Sequence, residues 1–249
     1  MTPAWPKALW LVRHGESAGN VARDAAEAQG LERIAIEARR DTDVPLSRLG
    51  EEQAASFGRW LREQPREEQP TAALCSPYLR ARASAELILR EAGLSKDVRL
   101  IVDERLRERE FGVLDRLTRR GIEKLFPDQA ELRRALGKFY HRPPGGESWC
   151  DVILRLRTVV DTMTRELIGE RVLVVCHSVV VLCFRYLLEQ LTEEQILTID
   201  RQADVANCSL TSYALGGQRL ALQRYNFVLP LKAQGTPVTT EPDVPLKPK

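Results

Sequence analysis

The sequence predicts an α/β protein: a three-layer sandwich with a mostly parallel central sheet, a helical lid insertion and a C-terminal β-hairpin. Three observations predict it. Short apolar runs bounded by turn signals recur along the chain, longer stretches of helical period lie between them, and Gly216 and Gly217 separate two strand-like runs near the end. Strands alternating with helices at this rhythm pair in parallel and bury both sheet faces under helices.

The first strand is read at Ala8 to Val12, where the side chains are apolar before Arg13. "LSRLGEEQAASFGRWLRE" then places Leu46, Leu49, Ala54, Phe57 and Leu61 near one helical face, with Ser47 as N-cap and Glu51 and Glu52 in the first turn. Ala72 to Cys75 is a second strand, and the helix in "SPYLRARASAELILREAG" starts after Pro77 and stops near Gly93. Val98 to Val102 is a third strand. From Leu114 to Pro144 the rhythm breaks into helical, Arg- and Lys-rich sequence, which is expected to form the lid over one end of the sheet, spanning 114–144. A long helix follows in "ESWCDVILRLRTVVDTMTRELIG", then the clearest buried strand, Arg171 to His177, then the hairpin of "ANCSLTSYAL" and "QRLALQRYN". From Pro230 apolar content nearly vanishes, so one domain over 1–229 and a disordered tail over 230–249 are expected.

With 249 residues, 43% apolar and 29% charged, the chain can bury one sizeable core. Its net charge of +2 is too mild for a nucleic-acid surface. The N-terminal residues lack the uncharged core of a signal peptide, and no run approaches the roughly 20 apolar residues that span a bilayer. A cytoplasmic protein that binds neither nucleic acid nor membrane is expected; the sequence says nothing of oligomeric state. Cys75, Cys150, Cys176, Cys183 and Cys208 are odd in number and form no CxxC spacing, and His14, His141 and His177 never stand at i, i+4. Neither a disulfide framework nor a metal site is expected, and no cofactor is implied.

The chemistry concentrates at strand ends. In an open α/β sheet ligands sit beyond the carboxyl ends of the strands. Arg13 and His14, Arg80 after "CSPY", Glu108 in "RLREREFG" and His177 after "VLVVC" all arrive there. Two guanidiniums match phosphate oxygens bidentately, and the backbone N–H groups after Gly15 add a helix N-terminus. A clamped phosphoryl group in line with His14 allows nucleophilic attack through a phosphohistidine. His14 must then be neutral, its other nitrogen hydrogen-bonded to fix the tautomer. His177 serves best protonated, and Glu108 is the candidate general acid, although by spacing alone Glu104 or Glu110 competes. His141 reads as a lid or surface histidine.

"LVRHGES" with Asn20, "SPYLRARASAE" with Arg80, "LRER" and "FG" around Glu108, "PPGGESW" with Glu147 and "VVCH" with His177 resemble, in order and spacing, the histidine phosphatase superfamily, also called phosphoglycerate mutase-like. The resemblance runs from Leu9 to Leu188. It implies a phosphohistidine on the RHG histidine, His14, with no metal; together with the departures given below, the expected activity is a metal-independent phosphomonoester hydrolase acting on a small phosphorylated metabolite. It implies Arg13, Arg80 and His177 around the phosphoryl group and Glu108 as proton donor, and it selects Glu108 over its neighbours. Gly15, Ser17, Asn20 and Ser178 are expected to line the pocket, and Glu147 either supports the site or simply begins a helix. Phosphoglycerate mutases have a tyrosine where this chain has Phe111, a glycine where it has Arg116, and an early "GW" element that is absent here. Those departures favour a phosphatase over mutase-type transfer, and a non-catalytic phospho-ligand binding module is the third reading. The basic lid suggests an anionic substrate touched by Arg133 or Arg134.

Overall fold

The computed structural model describes residues 5–241. In chain order its strands are β1 (Ala8–Arg13), β2 (Ala72–Cys75), β3 (Leu100–Val102), β4 (Arg171–Cys176), β5 (Leu210–Gly216) and β6 (Arg219–Phe227). Its helices are α1 (Ala18–Ala28), α2 (Arg48–Arg62), α3 (Leu79–Glu91), α4 (Arg119–Leu125), α5 (Pro127–Tyr140), α6 (Trp149–Glu166), α7 (Ser178–Leu188), α8 (Glu193–Gln202) and the single turn α9 (Leu229–Lys232). The strands form one sheet in the order β3-β2-β4-β1-β5-β6. The first four run parallel, and the β5–β6 hairpin adds on antiparallel beside β1. This is the expected mostly parallel α/β sandwich.

Three of the parallel strands differ slightly from their sequence reading, the first by running on to Arg13. The third begins at Leu100 rather than Val98, because the Val98 N–H is taken by the Leu94 carbonyl in the turn after α3. The fourth ends at Cys176, and His177 takes the N-cap position of α7.

Side chains alternate across the parallel strands, and those of β1, β2 and β4 are largely buried on both sides, whereas β3, read from its apolar run as a buried strand, lies at the sheet edge with Ile101 and Val102 exposed. Leu9, Leu11, Val172 and Val174 pack with Trp149, Val152, Leu156 and Phe184 of α6 and α7. Val12, Ala73, Leu173 and Val175 pack with Phe57, Ala81, Ala85 and Ile88 of α2 and α3. The period of two thus builds two cores, one per face. Each fully buried large side chain contributes roughly 1.5–3 kcal/mol.

Helix starts carry the signals the sequence supplies. Ser47 accepts the Gly50 N–H at 3.0 Å, and Ser17 and Ser148 form capping boxes with Asn20 and Asp151. The lid consists of α4 and α5 around a small cluster of Leu114, Leu117, Ile122 and Ala130, with α5 kinked at Gly137, whose φ is 77°.

The segment from Pro230 departs from expectation. Pro230 and Leu231 are buried in α9, and Leu231 belongs to the α2–α3 core. Beyond it, Gln53 Nε2 donates to the Pro237 carbonyl at 3.0 Å and to Thr239 Oγ1 at 2.9 Å, Ser56 Oγ bonds Thr236 Oγ1 at 2.7 Å, and the Asn207 N–H donates to the Thr239 carbonyl at 2.9 Å. Order here comes from hydrogen bonds offered by distant polar side chains, which the local composition cannot reveal. Residues 242–249 of the expected tail lie outside the described residues.

One close approach fixes the loop after β1. A Cβ on Gly50 would stand 1.9 Å from the Glu16 carbonyl oxygen, and one on Gly15 would stand 2.3 Å from that of Gly50. The loop therefore lies directly on the first turn of α2, held by Ser47 N–H to Glu16 O at 2.9 Å and Glu16 N–H to Gln53 Oε1 at 2.8 Å. Gly50→Ala must push backbone off backbone, and it is expected to lower stability by about 1–3 kcal/mol or more. Urea denaturation of the variant checks this; a loss of only a few tenths would show that the loop yields freely.

Candidate active site

Adjacent strand ends deliver the reactive side chains. In the β1–β4 register Arg13 stands opposite Cys176, and the His14 N–H donates to the Cys176 carbonyl at 2.9 Å. His14 and His177 therefore leave the sheet side by side, with ring centroids 5.1 Å apart and edge-to-face. On the other side of β4, Cys75 of β2 stands opposite Val175, which brings Ser76 Oγ within 2.8 Å of His177 Nε2. The turn after β3 carries Glu108, whose Oε2 is 4.0 Å from His177 Nδ1.

His14 is 3% exposed, and its Nδ1 is 2.7 Å from the Gly15 carbonyl. A carbonyl oxygen only accepts, so Nδ1 carries the proton and Nε2 keeps its lone pair. Burial, then the guanidiniums of Arg80 and Arg13, hold the imidazole pKa well below the ordinary histidine range. The hydrogen bond that the sequence reading asked of the second ring nitrogen is the one to Gly15 O.

His177 is fully buried, and burial together with Arg80, His14 and Arg13 holds its pKa well below the ordinary histidine range. Its Nδ1 is buried with no hydrogen-bond partner among the described residues, and so is Arg13 Nε. Native structures rarely leave such groups orphaned. Glu108 accepts the Arg109 N–H at 2.8 Å, yet burial dominates and pushes its carboxyl up to about 7.

Both guanidiniums are engaged by carboxylates. Arg80 makes a bidentate pair with Asp41, Nη1 to Oδ1 and Nη2 to Oδ2, each at 3.0 Å. Arg13, 1% exposed, donates from Nη1 to the Val205 carbonyl at 2.6 Å and from Nη2 to Glu241 Oε2 at 2.8 Å. His14, Ser17, Asn20, Arg80, Glu108 and Ser178 line one cleft of about 200 Å³. Arg13 and His177 back it, the first against Glu241 and the second against His14.

Other side chains and backbone groups are placed differently from their sequence reading. The N–H groups of Gly15, Glu16 and Ser17 do not point at the cleft as an anion site: they donate to Ser84 Oγ, Gln53 Oε1 and Asn20 Oδ1. Gly15 accordingly shapes the loop. Glu147 does not line the cleft either. Its carboxylate is bound by Arg107 Nη2 at 2.6 Å and by Arg155 Nε and Nη2 at 3.0 and 3.1 Å, while Arg155 also donates to the carbonyls of Arg105 and Glu108. It thereby braces the turn that carries Glu108. Finally, the basic lid is largely neutralised. Arg119 pairs with Glu123, Lys124 with Glu32, Lys138 with Asp200 and Arg142 with Asp151. Arg133 lines the cleft, whereas Arg134 is exposed outside it. His141, read as a lid or surface histidine, is buried against the cleft.

Sequence reasoning missed Asp41, Asn207, Arg155 and Glu241. Asn207 Nδ2 donates to the His14 carbonyl at 3.1 Å from 193 positions away. Asn207 and Arg155 lie within the hairpin and long-helix segments read from the sequence, but nothing local marks any of the four as a partner of the site.

A sequence model of the histidine phosphatase superfamily, branch 1, matches residues 9–228, and the chain belongs to that family. It is 30% identical over 205 residues to the Photorhabdus laumondii protein named probable phosphoglycerate mutase GpmB, covering 82% of each chain. It is 31% identical over 179 residues to a Caenorhabditis elegans 6-phosphofructo-2-kinase/fructose-2,6-bisphosphatase, covering 72% of this chain and 33% of that one. Among solved structures, the mycobacterial glucosyl-3-phosphoglycerate phosphatase in complex with VO3 superposes with a TM-score of 0.68 at 24% identity, covering 89% of this chain and 99% of that chain. Among the described residues no helix is long and apolar enough to cross a membrane.

The pKa directions set a stability profile. A carboxyl raised from its unfolded value near 4.3 to about 7 contributes stability that is complete below the lower value and lost as pH rises through the upper one. Glu108→Gln removes that buried charge. It is expected to gain on the order of 2–3 kcal/mol relative to the parent between pH 5 and pH 8. Denaturant unfolding at both pH values measures it, and a pH-independent difference would contradict the assignment.

Proposed function

We propose that the protein is a metal-independent phosphomonoester hydrolase that works through a phosphohistidine on His14. The observation that carries this reading is the His14 ring: neutral, fixed by Gly15 O, and set among Arg13, Arg80, His177 and Glu108 at converging strand ends. Each group has a chemical task there. Arg80 and Arg13 hold the phosphoryl oxygens, so positive charge comes from guanidiniums with no metal required. His14 Nε2 attacks phosphorus, the ester P–O bond breaks, and the leaving alkoxide takes the proton of Glu108, which a carboxyl titrating at about 7 can supply near neutral pH. Water then attacks the phosphohistidine and returns its proton to Glu108, releasing inorganic phosphate and regenerating neutral His14.

The orphaned Nδ1 of His177 and Nε of Arg13 support the same reading, because a phosphoryl oxygen would satisfy them. A dianion also favours the charged imidazole, so His177 gains its proton with the substrate. Ser17, Asn20 and Ser178 remain the cleft-lining candidates for further contacts. The substrate proposed is a small phosphorylated metabolite, since a cleft of about 200 Å³ is smaller than the pockets that take drug-sized ligands. Hydrolysis is favoured over transfer to a phosphoglycerate because Phe111 lines the cleft without a hydroxyl, packed under the Arg109 guanidinium at 5.1 Å. Mutase chemistry is the second reading, favoured by the name of the Photorhabdus relative. A cytoplasmic location is the companion proposal.

Turnover of an aryl phosphate, unaffected by chelator, is expected to fall by about 10³-fold or more in His14→Ala, and acid quench of the parent should trap label on His14. Glu108→Gln should slow turnover by about 10²–10⁴-fold and remove the decline of the parent's rate above pH 7. Conversion of 3-phosphoglycerate to 2-phosphoglycerate faster than phosphate release would establish the mutase instead, and phosphate binding without any turnover would establish the binding module.

A further inference from the structure

An anion of the chain itself already occupies part of the cleft. The Glu241 carboxylate, 24% exposed, lies between three donors on two elements: Arg13 Nη2 at 2.8 Å, Asn20 Nδ2 at 2.6 Å and Arg23 Nε at 2.7 Å. Oε2 takes the first two and Oε1 the third. Arg13 is one of the two guanidiniums to which the proposed function gives the phosphoryl group, and Asn20 is one of its cleft-lining candidates for further contacts. A carboxylate offers them what a phosphate offers, two charged oxygens in a plane.

The segment that brings Glu241 there is attached to the domain at successive points. Leu231 is buried in the core, Thr236 is bonded to Ser56, and Thr239 gives its carbonyl to the Asn207 N–H and its hydroxyl to Asn207 Oδ1. Asn207 in turn holds the His14 carbonyl. The tail is therefore seated by the same side chain that supports the loop of the site.

We propose that Glu241 is an internal competitor of the phosphoryl group: its carboxylate occupies the Arg13–Asn20 anion position, and a phosphate ester must displace it to bind. The inference rests on the phosphate reading of the cleft. Physically, a guanidinium buried to the depth of Arg13 is costly without a counter-charge, so the tail carboxylate stabilises the resting site. Two anions on the same guanidinium repel each other, so tail and phosphate are mutually exclusive. Displacement needs only the segment beyond Thr236 to lift, breaking the bonds made by Pro237, Thr239 and Glu241 while Leu231 stays anchored.

The test uses the full-length chain and two measurements. In the first, the orthophosphate Kd is measured by calorimetry for the parent, Glu241→Gln and Glu241→Ala. Removing the carboxylate is expected to tighten phosphate by about tenfold, with the KM for an aryl phosphate falling in parallel. Unchanged or weaker phosphate binding in variants that melt like the parent overturns the proposal. In the second, hydrogen exchange at the Asn207 amide of the parent is followed with and without saturating orthophosphate. Competition predicts faster exchange when phosphate binds, the reverse of ordinary ligand protection, because the Thr239 carbonyl is withdrawn. Unchanged or slower exchange overturns the proposal without any variant. If parent and variants alike bind no phosphate and turn over no ester, the phosphatase reading fails and this inference with it. If the parent is active and the variants match it, this inference alone fails.

Discussion

Buried positive charge is the constraint on which the rest of the molecule depends. Arg13, Arg80 and Arg155 all sit at or beneath the carboxyl ends of the parallel strands, each largely withdrawn from water. A lone buried guanidinium would cost several kcal/mol. The fold meets that cost with one carboxylate per arginine: Glu241 on Arg13, Asp41 on Arg80 and Glu147 on Arg155. The three acids come from the C-terminal segment, the loop before α2 and the turn before α6, so neutralising the site also ties those segments to it.

The same charge sets the chemistry of its neighbours. Both imidazoles are buried beside guanidiniums, which keeps them neutral, and only a neutral His14 has a nucleophilic lone pair. Glu108 behaves in the opposite sense. Desolvation outweighs the attraction of Arg80 and Arg13, leaving a carboxyl that exchanges its proton near neutrality. One desolvated pocket thus holds an imidazole with a strongly lowered pKa beside a carboxyl that titrates near neutrality.

Membership of the histidine phosphatase superfamily accounts for the shared frame and leaves the substrate to the parts that frame does not dictate. Here those parts are the lid, whose basic residues are mostly spent on ion pairs, and the C-terminal segment, which reaches into the cleft. The chain spans about a third of its bifunctional Caenorhabditis relative, so that protein's full activity is no guide to this one.

Much was legible in the sequence because local patterns have local causes. Short apolar runs bounded by turn signals mark the strands, Ser47 and Pro77 mark helix starts, and a residue at a strand's carboxyl end faces the ligand crevice whatever lies elsewhere in the chain. His14, Arg80 and His177 are found that way, whereas only the family resemblance separates Glu108 from Glu104 and Glu110. What the tertiary structure alone decided is who partners whom. Glu147 turned out to brace Arg155 rather than touch the cleft, the N–H groups after β1 were already taken, and a polar C-terminal stretch was held in place by Gln53 and Asn207. The reason is that hydrogen bonds and ion pairs between residues roughly 200 positions apart, such as Arg13 and Glu241, leave no periodicity in the chain; they exist only once the sheet has brought its strand ends together.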